Sequence, residues 1–329
     1  MNKTHKNTII YMAAVVIAML LGACSDDMFD AGGLLHGDDR IQLSGDIDQL
    51  AVTRVNDNGF CNGDVMGVYI VDYDGGTPGT LKASGNRGDN VRHTFDEPNY
   101  KWNSAYDLYW KDKHTHIDVY GYYPFANPES VDSYPFEVKR DQSKPSENGE
   151  MGGYEASDFL WGKVADVAPT TSVIRLPMKH RMANARVTLV EGSGFAAGEW
   201  AGTEKTVLAP NLIRKASINL ADGTVTANGS VEATATMPSR SGNEWRAIVV
   251  PQTVKAGVTL FSITIGGVPY KFAKNEAFTY MPGKMSNFSI RVDKKSGSGQ
   301  YQLTLISESI TPWENDLVSH DATAKEYVV

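Results

Sequence analysis

Cysteine is almost missing. The 329 residues hold two, Cys24 and Cys61, so no disulfide framework braces the chain and its stability has to come from buried cores. Basic blocks are missing as well. Thirty-one Lys and Arg face 39 Asp and Glu, a formal net charge of −8, and no cluster offers the phosphate-neutralising surface that nucleic-acid binding needs. No uncharged apolar run reaches the 18 residues a membrane-spanning helix requires. There is no Gly-x-Ser-x-Gly elbow, no His-Glu-x-x-His pair and no phosphate-cradling glycine loop. The seven histidines are scattered, and catalysis and cofactors have no visible foothold.

What is present begins at the N-terminus. Lys3 and Lys6 precede an uncharged apolar segment from Ile9 to Leu21, which ends in Gly22-Ala23-Cys24. A basic start, a short apolar core and small residues at a cut site describe a secretory signal. As a helix the segment reaches only ~20 Å, short of a ~30 Å hydrocarbon layer. Leu21-Gly22-Ala23-Cys24 resembles a bacterial lipobox, which implies cleavage between Ala23 and Cys24 and acyl chains on Cys24. Each buried methylene adds ~0.8 kcal/mol to membrane affinity, so dual acylation anchors firmly. The alternative is an ordinary cleaved signal with an incidental cysteine. With Cys24 lipidated, Cys61 has no partner for an intramolecular disulfide.

Residues 24–49 are polar, with Asp26-Asp27, Gly32-Gly33 and Asp38-Asp39, and read as an acidic flexible tether. From Leu50 the pattern changes to short β-type runs separated by Gly, Pro and Asp. Val65 to Val71, Ile117 to Tyr123, Ser172 to Leu176, Ala185 to Val190 and Ala247 to Val250 are such runs. Val258 to Ile265, Phe288 to Val292 and Tyr301 to Ile306 follow. Their spacing predicts an all-β chain of antiparallel sandwiches. Only Arg214 to Leu220 reads equally well as helix or strand. Lys294 to Gln300 reads as a hairpin loop. The polar Lys179-His180-Arg181 separates two halves, 50–180 and 181–329, each of a size to form its own sandwich.

Several residue sets carry chemistry in principle. His114-x-His116-x-Asp118 puts three metal-capable side chains on one strand face, but without a fourth ligand nearby it reads better as a polar face. Asp72-x-Asp74-Gly75 starts like a calcium loop yet lacks the closing Glu, so a hairpin turn is the better account. Arg87-Gly88-Asp89 matches an adhesive tripeptide and also reads as three common loop residues. Tyr100, Trp102, Tyr106, Tyr109 and Trp110 offer rings for stacking on sugars. Core packing is the readier explanation. Cys61, at the start of the run into Val71, is expected to be buried.

A set of segments together resembles the fimbrillin-like (Mfa-like) family of surface lipoproteins, components of type V pili. They are Thr53-Arg54 with Phe60, Gly63-Asp64 and Met66-Gly67-Val68-Tyr69, then Asp118 to Pro124 and Asp158-Phe159-Leu160-Trp161-Gly162. Leu176 to Met182, Val250-Pro251-Gln252, Tyr280 to Lys284 and Ile310-Thr311-Pro312-Trp313 complete it. Ser25-Asp26-Asp27 likewise resembles the acidic export signal of such lipoproteins. The resemblance implies two tandem transthyretin-like β-sandwiches, no catalytic residues, and a surface-exposed place in a fimbria at the outer membrane. It also implies a protease cut after an Arg near the domain start, followed by filling of the vacated groove with a strand from another subunit. Arg54 lies where that cut falls, and Arg40 is the second choice. Ile41 to Val52 is then the leading strand, with Asp46 and Asp48 as departures from an apolar pattern. Six buried side chains at ~1.5 kcal/mol each would put ~9 kcal/mol into that strand. The implied partners are other fimbrial subunits, the membrane through Cys24, and host or bacterial surface ligands. The rival reading is a glycan-binding outer-membrane lipoprotein with no pilus role. The last residues, Lys325-Glu326-Tyr327-Val328-Val329, suit a donated strand.

Cys24→Ala should move the protein out of the membrane fraction or leave its leader uncut. Fractionation and acyl labelling check this, and unchanged acylation would refute the lipobox reading.

Overall fold

The computed structural model describes residues 39–47, 60–147, 150–232 and 234–313. Within them the chain is all-β. The strands are β1 (Leu43–Ile47), β2 (Val65–Asp72), β3 (Gly88–Asp96), β4 (Lys101–Ser104), β5 (Ile117–Tyr123), β6 (Tyr134–Glu137), β7 (Leu160–Val167) and β8 (Ile174–His180). Then come β9 (Ala183–Glu191), a one-turn helix α1 (Glu199–Gly202), β10 (Lys205–Leu208), β11 (Lys215–Ile218), β12 (Val225–Ala227), β13 (Ser239–Ser241) and β14 (Glu244–Val249). The last are β15 (Gln252–Val254), β16 (Thr259–Ile265), β17 (Val268–Ala273), β18 (Phe278–Tyr280), β19 (Lys284–Lys294) and β20 (Tyr301–Pro312).

The strands up to His180, β6 excepted, build a seven-stranded sheet in the order β1-β8-β7-β5-β2-β3-β4. Those from Ala183 onward build a five-stranded sheet, β13-β14-β9-β19-β20, facing a three-stranded one, β10-β16-β17. A short sheet, β12-β11-β6, joins strands from both halves, and β15 pairs with β18. Pairing is antiparallel except at two places, β1 with β8 and β9 with β19. Both exceptions join strands far apart in sequence, for which no tight hairpin dictates direction. Arg214 to Leu220 resolves as strand, because β11 pairs on one side with β6 and on the other with β12. Residues 295–300 close the β19–β20 hairpin, and the Lys295 amide donates to the Gln300 carbonyl at 2.9 Å.

Three apolar clusters follow from strand alternation. One face of the seven-stranded sheet holds Met66, Val68, Ile70, Val91, Ile117, Val119, Leu176 and Met178. The other face holds Tyr69, Tyr120, Tyr122 and Trp161, and packs with Phe136, Ile218, Ile248, Met285 and Trp313 from later strands. β5 is buried along its whole length because it lies between these two clusters. Gly121 on it is obligatory, since a Cβ there would run into Leu176. The third cluster, with Val187, Phe261, Ile263 and Phe288, fills the space between the later sheets.

Polar side chains tie the two stretches together. The Gln142 amide makes both hydrogen bonds of a strand partner to Ile248, donating to its carbonyl and accepting from its amide at 2.8 Å each. The Trp161 indole donates to the Leu220 carbonyl at 2.7 Å.

His93 sits between Val91 and Phe95 on β3 and is 2% exposed. Burial pushes its pKa below the ordinary 6.5, with a partial offset from a 3.0 Å contact with the Val91 carbonyl. The unfolded chain therefore binds a proton that the folded chain refuses, and His93 withdraws stability as pH falls below ~6.5 toward its lowered value. His93→Leu should flatten the loss of melting temperature between pH 7 and pH 5, measured against the parent protein.

Candidate functional site

The edge of the seven-stranded sheet beside β8 is the feature on which function can turn. β8 alternates strictly, with Ile174, Leu176 and Met178 buried and Arg175, Pro177 and Lys179 outward. β7 covers one side of it, pairing Leu160 with His180 and Trp161 with Lys179. The other side is covered by β1, in parallel, with Leu43 opposite Ile174, Gly45 opposite Leu176 and Ile47 opposite Met178.

β1 is held by few groups. Ile41 and Leu43 are each 7% exposed and Ile47 is half-buried, so its inward contribution is two full side chains and one partial. That is about 3–6 kcal/mol for the two full ones. Gly45 passes close to Met66 and Trp102, and its carbonyl accepts from the Trp102 indole at 3.1 Å. Asp46 faces outward, 3.4 Å from Arg175, which explains how an acid is tolerated in a strand that covers a core. β1 runs from Leu43 to Ile47, inside the stretch 41–52 read as a leading strand, and residues 48–52 lie outside the described residues.

Arg40 stands just before β1. Its backbone bridges to Tyr109, the Ile41 amide donates to the Leu108 carbonyl at 2.7 Å, and its guanidinium lies 3.3 Å from Asp107. Ala23, Cys24, Asp48, Arg54 and the C-terminal residues from Glu314 lie outside the described residues.

The other sequence candidates are held in structural roles. Arg87 makes a double ion pair with Asp72 at 2.5 and 2.6 Å, while Asp89 accepts from the Gly85 and Asn86 amides, so the tripeptide is tied into its own loop. Asp74 closes a turn with Thr77. The metal-type triad is divided. His116 pairs with Asp166 at 2.7 Å, and the His114 amide donates to Asp112, whose carboxyl is held at about 2 chiefly by the Thr115 hydroxyl. Asp118 is buried and serves Lys163, Tyr73 and the Asp166 amide. Burial alone would raise its pKa, but these donors outweigh it and leave the carboxyl below its ordinary range.

The aromatic set is divided between core and surface. Trp102 and Trp110 are buried, whereas Tyr100, Tyr106 and Tyr109 are exposed. Cys61 is half-buried in the turn before β2, with its amide donating to Asp64. The expectation of a buried position fails because the core strand begins only at Val65.

Sequence reading missed a junction. His180, the last residue of β8, pairs through Nδ1 with Asp158 at 2.8 Å, both side chains being 8% exposed. Its ring stacks on Trp313 at 4.1 Å and 8°. The signal was there, since both residues fall in the quoted motifs, but nothing in either motif says that they meet.

Stacked sheets around apolar cores, with one turn of α-helix among the described residues, define an all-β sandwich protein. The chain belongs to the fimbrillin-like family, whose model matches residues 53–313. Among solved structures, a proposed cell adhesion protein from Bacteroides uniformis superimposes with a TM-score of 0.58 at 16% identity, covering 84% of this chain and 99% of that one. Another from Bacteroides ovatus gives 0.58 at 14% identity, covering 83% and 97%. A fimbrial protein from Bacteroides vulgatus gives 0.50 at 11%, covering 83% and 99%. At these identities the likeness is one of fold. Comparison with curated proteins gives no match.

Leu43→Ala should cost about 2–3 kcal/mol in denaturant unfolding, at the lower end for a buried leucine because β1 lies at a sheet edge. The outward Gln42→Ala should change stability by less than ~0.5 kcal/mol.

Proposed function

We propose that this protein is a lipid-anchored, surface-exposed subunit of a fimbria, structural or adhesive in role, which joins other subunits by β-strand exchange. The observation that carries the reading is β1, a strand that covers a buried core yet is held in the ladder, among the described residues, by β8 alone. Losing it would expose Ile174, Leu176 and Met178 and leave the β8 ladder open, a template for an extended strand from a second subunit.

The order of residues favours Arg54 over Arg40 as the cut that matters. Arg54 lies between Ile47, the end of β1, and Phe60, where the described chain resumes, so cleavage there severs β1 from the body. Cleavage at Arg40 would leave β1 attached, and its bond is already engaged with Tyr109 and Leu108. In this reading Ala23-Cys24 is the signal cleavage site and Cys24 carries lipid in the outer membrane. Residues 50–180 and 181–329 are two tandem sandwiches, the second bearing the donated tail.

Exposed Tyr100, Tyr106 and Tyr109 support a second reading, a glycan-binding surface lipoprotein. Glycan arrays separate the two, because a pilus subunit binds chiefly its own kind.

An arginine-specific protease should cut the protein after Arg54, and a chain ended after Trp313, so cut and stripped of its leader, should melt below the uncut protein and recover when a peptide of residues 314–329 is added. Arg54→Gln should stay monomeric and keep the parent melting temperature. A cut and stripped chain ended after Trp313 that keeps its thermal stability and takes up no added strand would refute exchange at this edge.

A further inference from the structure

Trp313, the last described residue, is fixed in place. Trp313 is 8% exposed, stacked on His180, and its amide donates to the Gly283 carbonyl at 3.0 Å. Gly283 in turn donates to the Met182 carbonyl at 2.8 Å, and the Arg181 amide donates to the Phe159 carbonyl at 2.8 Å. The root of the tail is therefore held at the C-terminal end of β8. β1 runs parallel to β8 and has Ile47 opposite Met178, so the slot it fills ends beside the same His180.

We propose that, once a cut after Arg54 lets β1 go, residues 314 to 329 of the same chain fold back into the vacated slot, antiparallel to β8. This rests on the strand-exchange reading above and adds a self-capped monomer to it. From Ile41 to Ile47 the slot is ~20 Å long, and the tail extended reaches ~50 Å, at about 3.3 Å per residue. A segment rooted beside His180 can run along β8 only toward Ile174, opposite in direction to β1. Antiparallel ladders are slightly the stronger per residue, so the reversal carries no penalty in hydrogen bonding. Charge also fits. The outward residues of β8 include Arg175 and Lys179, and the departure of Asp46 takes an acid from Arg175. The tail supplies Glu314, Asp316, Asp321 and Glu326 against Lys325 alone. A tethered strand acts at an effective concentration near ~1 mM, far above that of free subunits, so capture within the chain competes with assembly. Polymerisation then requires the tail to be released first.

The test compares the full chain with a variant ended after Trp313, each before and after cutting with an arginine-specific protease. The tail contains no arginine, so it survives the cut. The freed leader is stripped in mild urea and removed by gel filtration, and melting temperatures are read over a hundred-fold range of concentration. Uncut, the two chains should melt together, because β1 fills the slot. Cut, the full chain should melt at least ~5 °C above the shortened one, with a gap that dilution does not change. A gap that closes on dilution would mean filling by a second copy, overturning capture within the chain while leaving strand exchange intact. No gap at any concentration would overturn both. A gap already present in the uncut proteins would place the tail elsewhere and overturn this proposal.

Discussion

β8 imposes the constraint on which the first half of the molecule rests. Its inward residues, Ile174, Leu176 and Met178, are at most 6% exposed, and its backbone edge faces away from β7. A buried core beside an open ladder is costly in two ways, through wetted apolar surface and through unpaired amides and carbonyls. β1 answers both with a short stretch of chain. It brings Ile41 and Leu43 over the core, and it has Gly45 where a Cβ would sit tightly, 3.0 Å, against the Met66 sulfur. The cover is small.

Much else in the structure holds the fixed parts fixed. The outer face of the seven-stranded sheet is closed by Ile218, Ile248, Met285 and Trp313, all from beyond residue 180. β6 pairs with β11, and Gln142 serves as a surrogate strand for Ile248. The buried Asp158–His180 pair and the Trp313 ring sit at this seam. One end of β8 is thus locked to the second half while its edge is merely covered, so change at the edge need not disturb the seam.

Residues that invite functional readings in isolation are employed in packing and turns. Arg87 is neutralised by Asp72, and Asp118 lies at the centre of a network with Lys163, Tyr73 and Tyr120. Tyr122 and Tyr123 have pKa values raised far above the ordinary range, chiefly by burial, which marks them as structural hydroxyls. The exposed tyrosines near β4 are the exception, and they alone keep a sugar-binding reading alive.

Sequence by itself determined the β class, eight of the twenty described strands and the hairpin at 295–300, because alternation and turn residues are local properties read over a few residues. It also determined the family, through motifs whose order matters more than any one of them. Tertiary structure alone decided three things. Arg214 to Leu220 became strand because β6 and β12 offered partners, and local propensity was neutral. Cys61 stayed half-buried because it lies in the turn between the buried Phe60 and the strand that begins at Val65. β1 went to the edge of β8, and Trp313 to His180, through contacts between residues more than a hundred positions apart. No local pattern encodes such pairings, since each depends on which hydrophobic edge is left uncovered once the rest of the sheet has formed.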